Sequence, residues 1–75
     1  MRITKEIVKH TASRLSNVSG LDIKVRQQNG YYQAVIVMPT TGEITIGSGT
    51  AKEVHKQLCA VEMVLWYLKH ESNIH

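Results

Sequence analysis

The sequence predicts an α+β domain of order αβββα, a three-stranded antiparallel sheet with both helices packed on one face. Three observations lead there. All five glycines and the single proline fall between Gly20 and Gly49, leaving two glycine-free blocks, Met1 to Ser19 and Thr50 to His75. Apolar residues recur at helical spacing in those blocks and alternate with polar ones between them. An Asn29-Gly30 pair divides the alternating stretch where a tight hairpin needs it. A chain of 75 residues can bury one thin core, so a single domain over 1–75 with two packed layers is expected.

The first helix is expected over 4–19. The Thr4 hydroxyl can accept a bond from a free N–H of the first turn. Ile3 and Val8 hold the two positions of a hydrophobic staple. Ile7, Val8, Thr11, Leu15 and Val18 share one side, and Arg2, Lys5, Lys9, Ser13 and Ser16 the other. Gly20 ends the helix by taking a left-handed conformation without a Cβ penalty.

Strands are expected over 21–28, 31–38 and 43–47. Leu21, Ile23 and Val25 alternate with Asp22, Lys24 and Arg26, the pattern of a half-buried strand. With Asn29-Gly30 as a two-residue loop, Gln28 pairs with Tyr31. Val25 then opposes Ala34, Ile23 opposes Ile36 and Leu21 opposes Met38, all on one face, with Val35 and Val37 on the other. The third strand has two possible registers. A three-residue loop, Thr40 to Gly42, turns Ile44 and Ile46 to the core; a four-residue loop turns them outward. The first is preferred, because a small core needs those isoleucines.

The second helix is expected over 51–70, opened by the capping box Thr50-Ala51-Lys52-Glu53. Val54, Leu58, Val61, Leu65 and Leu68 form its seam on the sheet, with Lys52 and Lys56 opposite. Beyond Cys59 it is apolar almost all round, and a helix of that kind must be covered on every side. The first helix can supply part of the cover. The tail Glu71 to His75 is expected to fray.

Composition excludes several classes. Nine Lys+Arg against six Asp+Glu give +3, and 43% hydrophobic with 20% charged residues is the balance of a folded domain. One cysteine cannot make an internal disulfide and suits a reducing compartment. The stretch MRITKEIVKH has charges inside any apolar run, so no signal peptide is expected. The longest uncharged apolar run, Met63 to Leu68, is six residues, far below the ~20 of a membrane span. A small soluble, cytoplasmic protein without a membrane partner is the expectation.

Gly47-Ser48-Gly49-Thr50-Ala51-Lys52-Glu53-Val54-His55-Lys56-Gln57-Leu58-Cys59-Ala60, with the element order, resembles the double-stranded RNA-binding domain. That family typically reads Gly-x-Gly-x-Ser-Lys-Lys-x-Ala-Lys-x-x-Ala-Ala here. Gly47, Gly49, Lys52, Lys56 and Ala60 match; Ala51, Glu53, His55 and Cys59 depart. The resemblance implies a dsRBD-like fold with Lys52 and Lys56 on RNA phosphates. Lys5 and Lys9 would line the outer face of the first helix, which with the first hairpin loop reaches the flanking minor grooves. Glu53 stands where the family has its second lysine, and the loop is shorter than the family's. The topology is also similar to that of HicA-type toxins, which cleave mRNA. Their histidine falls where this chain has Gly30-Tyr31-Tyr32, so their catalytic group is absent.

The functional expectation is a non-catalytic nucleic-acid-binding protein that contacts RNA phosphates through Lys5, Lys9, Lys52 and Lys56. Tyr31 and Tyr32 are read as packing residues before base-stacking ones. The alternative is a protein-interaction module, such as a small phage or mobile-element regulator docking on a host protein. It would dock, or form a homodimer, through an apolar patch of Val35, Val37, Met63, Trp66 and Tyr67. His55 and Cys59 stand four apart on one helix side, but two further metal ligands are missing. No base is legible beside Cys59, no phosphate-binding loop motif is present, and no triad or carboxylate pair stands out. No cofactor, no metal and no enzymatic activity are expected.

Overall fold

A computed structural model describes residues 2–72. The elements are α1 (Lys5–Ser19), β1 (Asp22–Gln28), β2 (Tyr31–Met38), β3 (Gly42–Gly49) and α2 (Ala51–Ser72). The strands pair antiparallel in the order β1-β2-β3. Both helices join the inner face of the sheet in one core. The α+β, αβββα architecture expected from the sequence is the one observed. The helical part of the expected tail extends to Ser72; residues 73–75 lie outside the described residues.

Each helix begins where its cap chemistry places it. The Ile7 N–H donates to Thr4 Oγ1 at 3.4 Å, and Gly20, at φ 75°, closes α1 by donating its N–H to Ser16 O. At α2 the Glu53 N–H donates to Thr50 Oγ1 and the Thr50 N–H to Glu53 Oε1, both at 3.3 Å, a reciprocal capping box.

The first hairpin has the expected register. Val25 pairs with Ala34, Ile23 with Ile36 and Gln28 with Tyr31 across a turn with both central residues at positive φ, Asn29 51° and Gly30 78°. The second connection differs. Pro39 to Thr41 form the turn, and β3 starts at Gly42, which pairs with Met38. Ile44 then opposes Ile36 on the inner side, the preferred orientation, but on an edge strand it stays 49% exposed. The register shifts between Ala34 and Val35, leaving Ile46 as a bulge. The bulge turns Gly47 toward Ala34 and Gly49 toward Tyr32, so both glycines lie under the first turns of α2.

Val8, Ala12 and Leu15 of α1, Ala34 of β2, and Val54 and Leu58 of α2 form the buried core. Ile3, Ile23, Val25, Tyr32, Ile46, Ala51, Val61 and Leu65 pack around it. Three expected core positions are corrected. Val18 and Leu68 are 49% and 55% exposed, and Leu21, ahead of β1, is 37% exposed. Val18 and Leu68 sit near the C-terminal ends of their helices. Ala12, absent from the expected seam, is buried instead.

The helices run parallel. Thr11 meets His55 and Arg14 meets Glu62, so contacts advance together along both. At 22 residues against 15, α2 outruns α1 by about 10 Å. The radius of gyration, 13.0 Å, exceeds the ~11 Å of a compact chain of this length.

Candidate nucleic-acid interface

The topology gives the molecule two unlike ends. Gly49 pairs with Tyr32 at the base of the first hairpin, so α2 starts beside that hairpin. The parallel α1 starts there too. Both helix N-termini, with their positive dipole ends, therefore share one end with the Asn29-Gly30 turn.

Charge follows the same division. The first two turns of the helices and their approach carry Arg2, Lys5, Lys9, Lys52 and Lys56 against Glu6 and Glu53, an excess of three. That equals the formal charge of the whole chain, +3. The remaining charges cancel, and among the described residues Arg14 with Glu62 and Arg26 with Glu43 are in direct contact. Arg14 Nε donates to Glu62 Oε2 at 2.7 Å and Nη2 to Oε1 at 2.8 Å, holding the Glu62 carboxyl below its ordinary range. Arg26 grips Glu43 with both guanidinium branches and lowers its carboxyl likewise.

The four lysines share an end but not a face. Lys9 lines a groove with Ala12, Ser13, Ser16, Asn17, Ile23 and Val25, on the β1 side of α1. Lys5, one turn earlier, lies on the same flank and is partly buried. Lys52 and Lys56 are exposed on the side of α2 turned away from the sheet. Glu53 takes the anion position at the α2 terminus. Its carboxylate lies 3.1 Å from where a Cβ on Gly49 would stand, and it accepts the Thr50 N–H. Phosphate contact at α2 would thus fall to the two lysine side chains.

Beside them the hairpin forms an open hollow of about 810 Å³ lined by Arg26, Gln27, Gln28, Asn29, Tyr31, Tyr32, Gln33 and Ser48. Tyr31 is 66% exposed there, whereas Tyr32 packs on the core. The packing reading fits Tyr32 and not Tyr31.

The opposite end exposes the apolar side chains of α2 beside its last charged turn. Met63, Val64, Trp66, Tyr67 and Leu68 are each more than half exposed. The expected patch is corrected at its sheet residues. Val35 is 1% exposed and Val37 only partly exposed. Arg26 stands beside Gln33 and Glu43 beside Val37, so their ion pair runs diagonally over Val35. The outward valines belong under that bridge, not to a surface shared with α2.

Two arrangements escaped the sequence reading. Gln57 Oε1 accepts the Ser48 N–H at 2.9 Å, tying α2 to the β3 edge above Gly47. His55 bridges Thr11 and Cys59, at 3.2 Å from Thr11 Oγ1 and 3.6 Å from Cys59 Sγ. Spacing shows the His55–Cys59 half of that bridge; the Thr11 half crosses between helices. Among the described residues no group of three His, Cys, Asp or Glu gathers as metal ligands, and no helix is long and apolar enough to cross a membrane. No family model, curated protein or solved structure matches the chain.

Proposed function

We propose that the protein binds RNA without catalysis, through the end where both helices begin. One observation carries this reading: the chain's whole formal charge, +3, is gathered at that end, next to the first hairpin. Lys52 and Lys56 approach the phosphates, while Lys5 and Lys9 and the hairpin loop reach flanking backbone. The likeness to the double-stranded RNA-binding domain in Gly47, Gly49, Lys52, Lys56 and Ala60 supports the same placement. The test is a duplex RNA titrated at two salt concentrations. Affinity falls steeply with salt, and Lys52→Glu with Lys56→Glu flattens the logarithmic slope by about 2. No binding at low salt, or binding indifferent to salt, ends the reading.

A second reading concerns the other end. Met63, Val64, Trp66, Tyr67 and Leu68 are each more than half exposed, and exposed large apolar side chains gathered on one helix end mark an interaction surface. A second copy is the occupant we favour, because an overhanging helix covers its twin symmetrically. Sedimentation decides it: a monomer at high concentration removes the dimer.

A further inference from the structure

We propose that the hollow on the first hairpin is a binding site for an unpaired nucleobase, so that the RNA this protein takes is a duplex with a single-stranded overhang. The proposal rests on the RNA reading above and adds the substrate class to it. Its starting point is the face on which the hollow lies. Val25, Tyr32 and Ala34 belong to the core or pack against it, so strand alternation turns Arg26, Gln28, Tyr31 and Gln33 to the other face of the sheet. Gly47 lies under Gln57, and Ser48, the next residue, turns outward opposite Gln33. These five outward residues line the hollow. Both helices pack on the inner face, so among the described residues no element covers it.

The chemistry of the hollow selects a flat, uncharged ligand with a hydrogen-bonding edge. Tyr31 is 66% exposed, an aromatic ring left out of the core, and every base has a π face to lay on such a ring. Gln27, Gln28, Asn29 and Gln33 supply side-chain amides, each able to donate and accept, as a base edge does. Gln33 Nε2 donates to Thr45 Oγ1 at 3.0 Å, which leaves its Oε1 as an acceptor. Among the described residues, none bonds the side chains of Gln27, Gln28, Asn29 or Tyr31. The lining has no carboxylate, and the guanidinium of Arg26 is engaged by Glu43. Phosphate is therefore not what the hollow itself selects. A sugar or a peptide would use the same amides, whereas a nucleotide also brings phosphate to the end that carries the chain's +3. The volume, about 810 Å³, falls within the roughly 300–1,000 Å³ of small-ligand sites. Because the hollow is open, the backbone attached to the base stays in water.

The test uses the full chain and one RNA duplex in three forms: blunt, with a short overhang of either polarity, and with the same overhang made abasic. The abasic form keeps the phosphates and loses only the bases. At one salt concentration the base-bearing overhang binds about tenfold tighter than the abasic one. Their salt slopes are equal, since their charges are. Tyr31→Ala removes the advantage and keeps the affinity for the blunt duplex, while Tyr31→Phe retains both. A 2-aminopurine in the overhang is quenched on binding the parent and not on binding Tyr31→Ala. An advantage below about threefold for both polarities overturns the proposal, as does one that survives Tyr31→Ala in a folded chain. In either case binding of the blunt duplex leaves the RNA reading standing. Should Tyr31→Ala fail to fold by circular dichroism, the parent's base-to-abasic ratio and its 2-aminopurine quenching decide. If no form binds at low salt, both readings fall together.

Discussion

At the scale of single residues, the contacts that the sequence concealed are those that cross between elements. Gly47 is buried because Gln57 lies over it: a Cβ there would stand 2.8 Å from Gln57 Oε1 and 3.4 Å from Gln57 Cβ. Gly47→Ala forces the amide aside and removes its bond to the Ser48 N–H, a loss of about 1 kcal/mol. Adding Gln57→Ala to Gly47→Ala costs little more, since both changes remove one interaction. Urea midpoints of the two single variants and the double variant measure that coupling. Glu62 gives a prediction in pH. Its folded carboxyl lies below the ordinary value of 4.5, because Arg14 hydrogen-bonds the ionised form. A lowered carboxyl adds stability above its unfolded value and loses it as pH falls through the folded one. The stability gap between the parent and Glu62→Gln is therefore full near neutrality, narrows below about 4.5 and closes in acid. A gap that stays constant across that range removes the role given to Arg14.

At the scale of elements, chemistry local to the chain was legible and edge geometry was not. Thr4, Gly20, Asn29-Gly30 and the Thr50–Glu53 box each act within four residues, so the sequence shows both partners at once. That is why helix boundaries and the first register could be read. The bulge at Ile46 was hidden because alternation assumes an unbroken period of two. Its physical reason is the helix above it: glycines at 47 and 49 face α2 only if one residue is inserted before them. The end of the α2 seam was misread for a related reason. Leu68 keeps the seam's spacing but lies in the overhang beyond α1, and periodicity carries no information on where a layer stops. The cap itself is testable. Thr50→Ala removes the bond from the Glu53 N–H and costs about 1 kcal/mol. In a domain of this size that lowers Tm by about 4–8 °C, readable by thermal melts at 222 nm. An unchanged Tm means that α2 is held by its seam alone.

At the scale of the whole molecule, the parallel helices separate charge from apolar surface. Of the candidate site, the lysines were legible as residue types, but their meeting at one end depends on a chain direction that only the fold supplies. The same topology sends Met63, Trp66 and Tyr67 to the far end, while Val35 is withdrawn beneath Arg26 and Glu43. Sites so separated share no side chain, and their variants act independently. Lys52→Glu with Lys56→Glu weakens RNA binding and flattens its salt slope while leaving sedimentation unchanged. Met63→Glu with Trp66→Ser does the reverse: it keeps the species monomeric at high concentration and preserves the salt slope. Both properties are measured on both variants. If the Met63 and Trp66 changes also abolish RNA binding in a folded chain, the two ends form one surface in the working assembly, with RNA held by the pair and not by one copy.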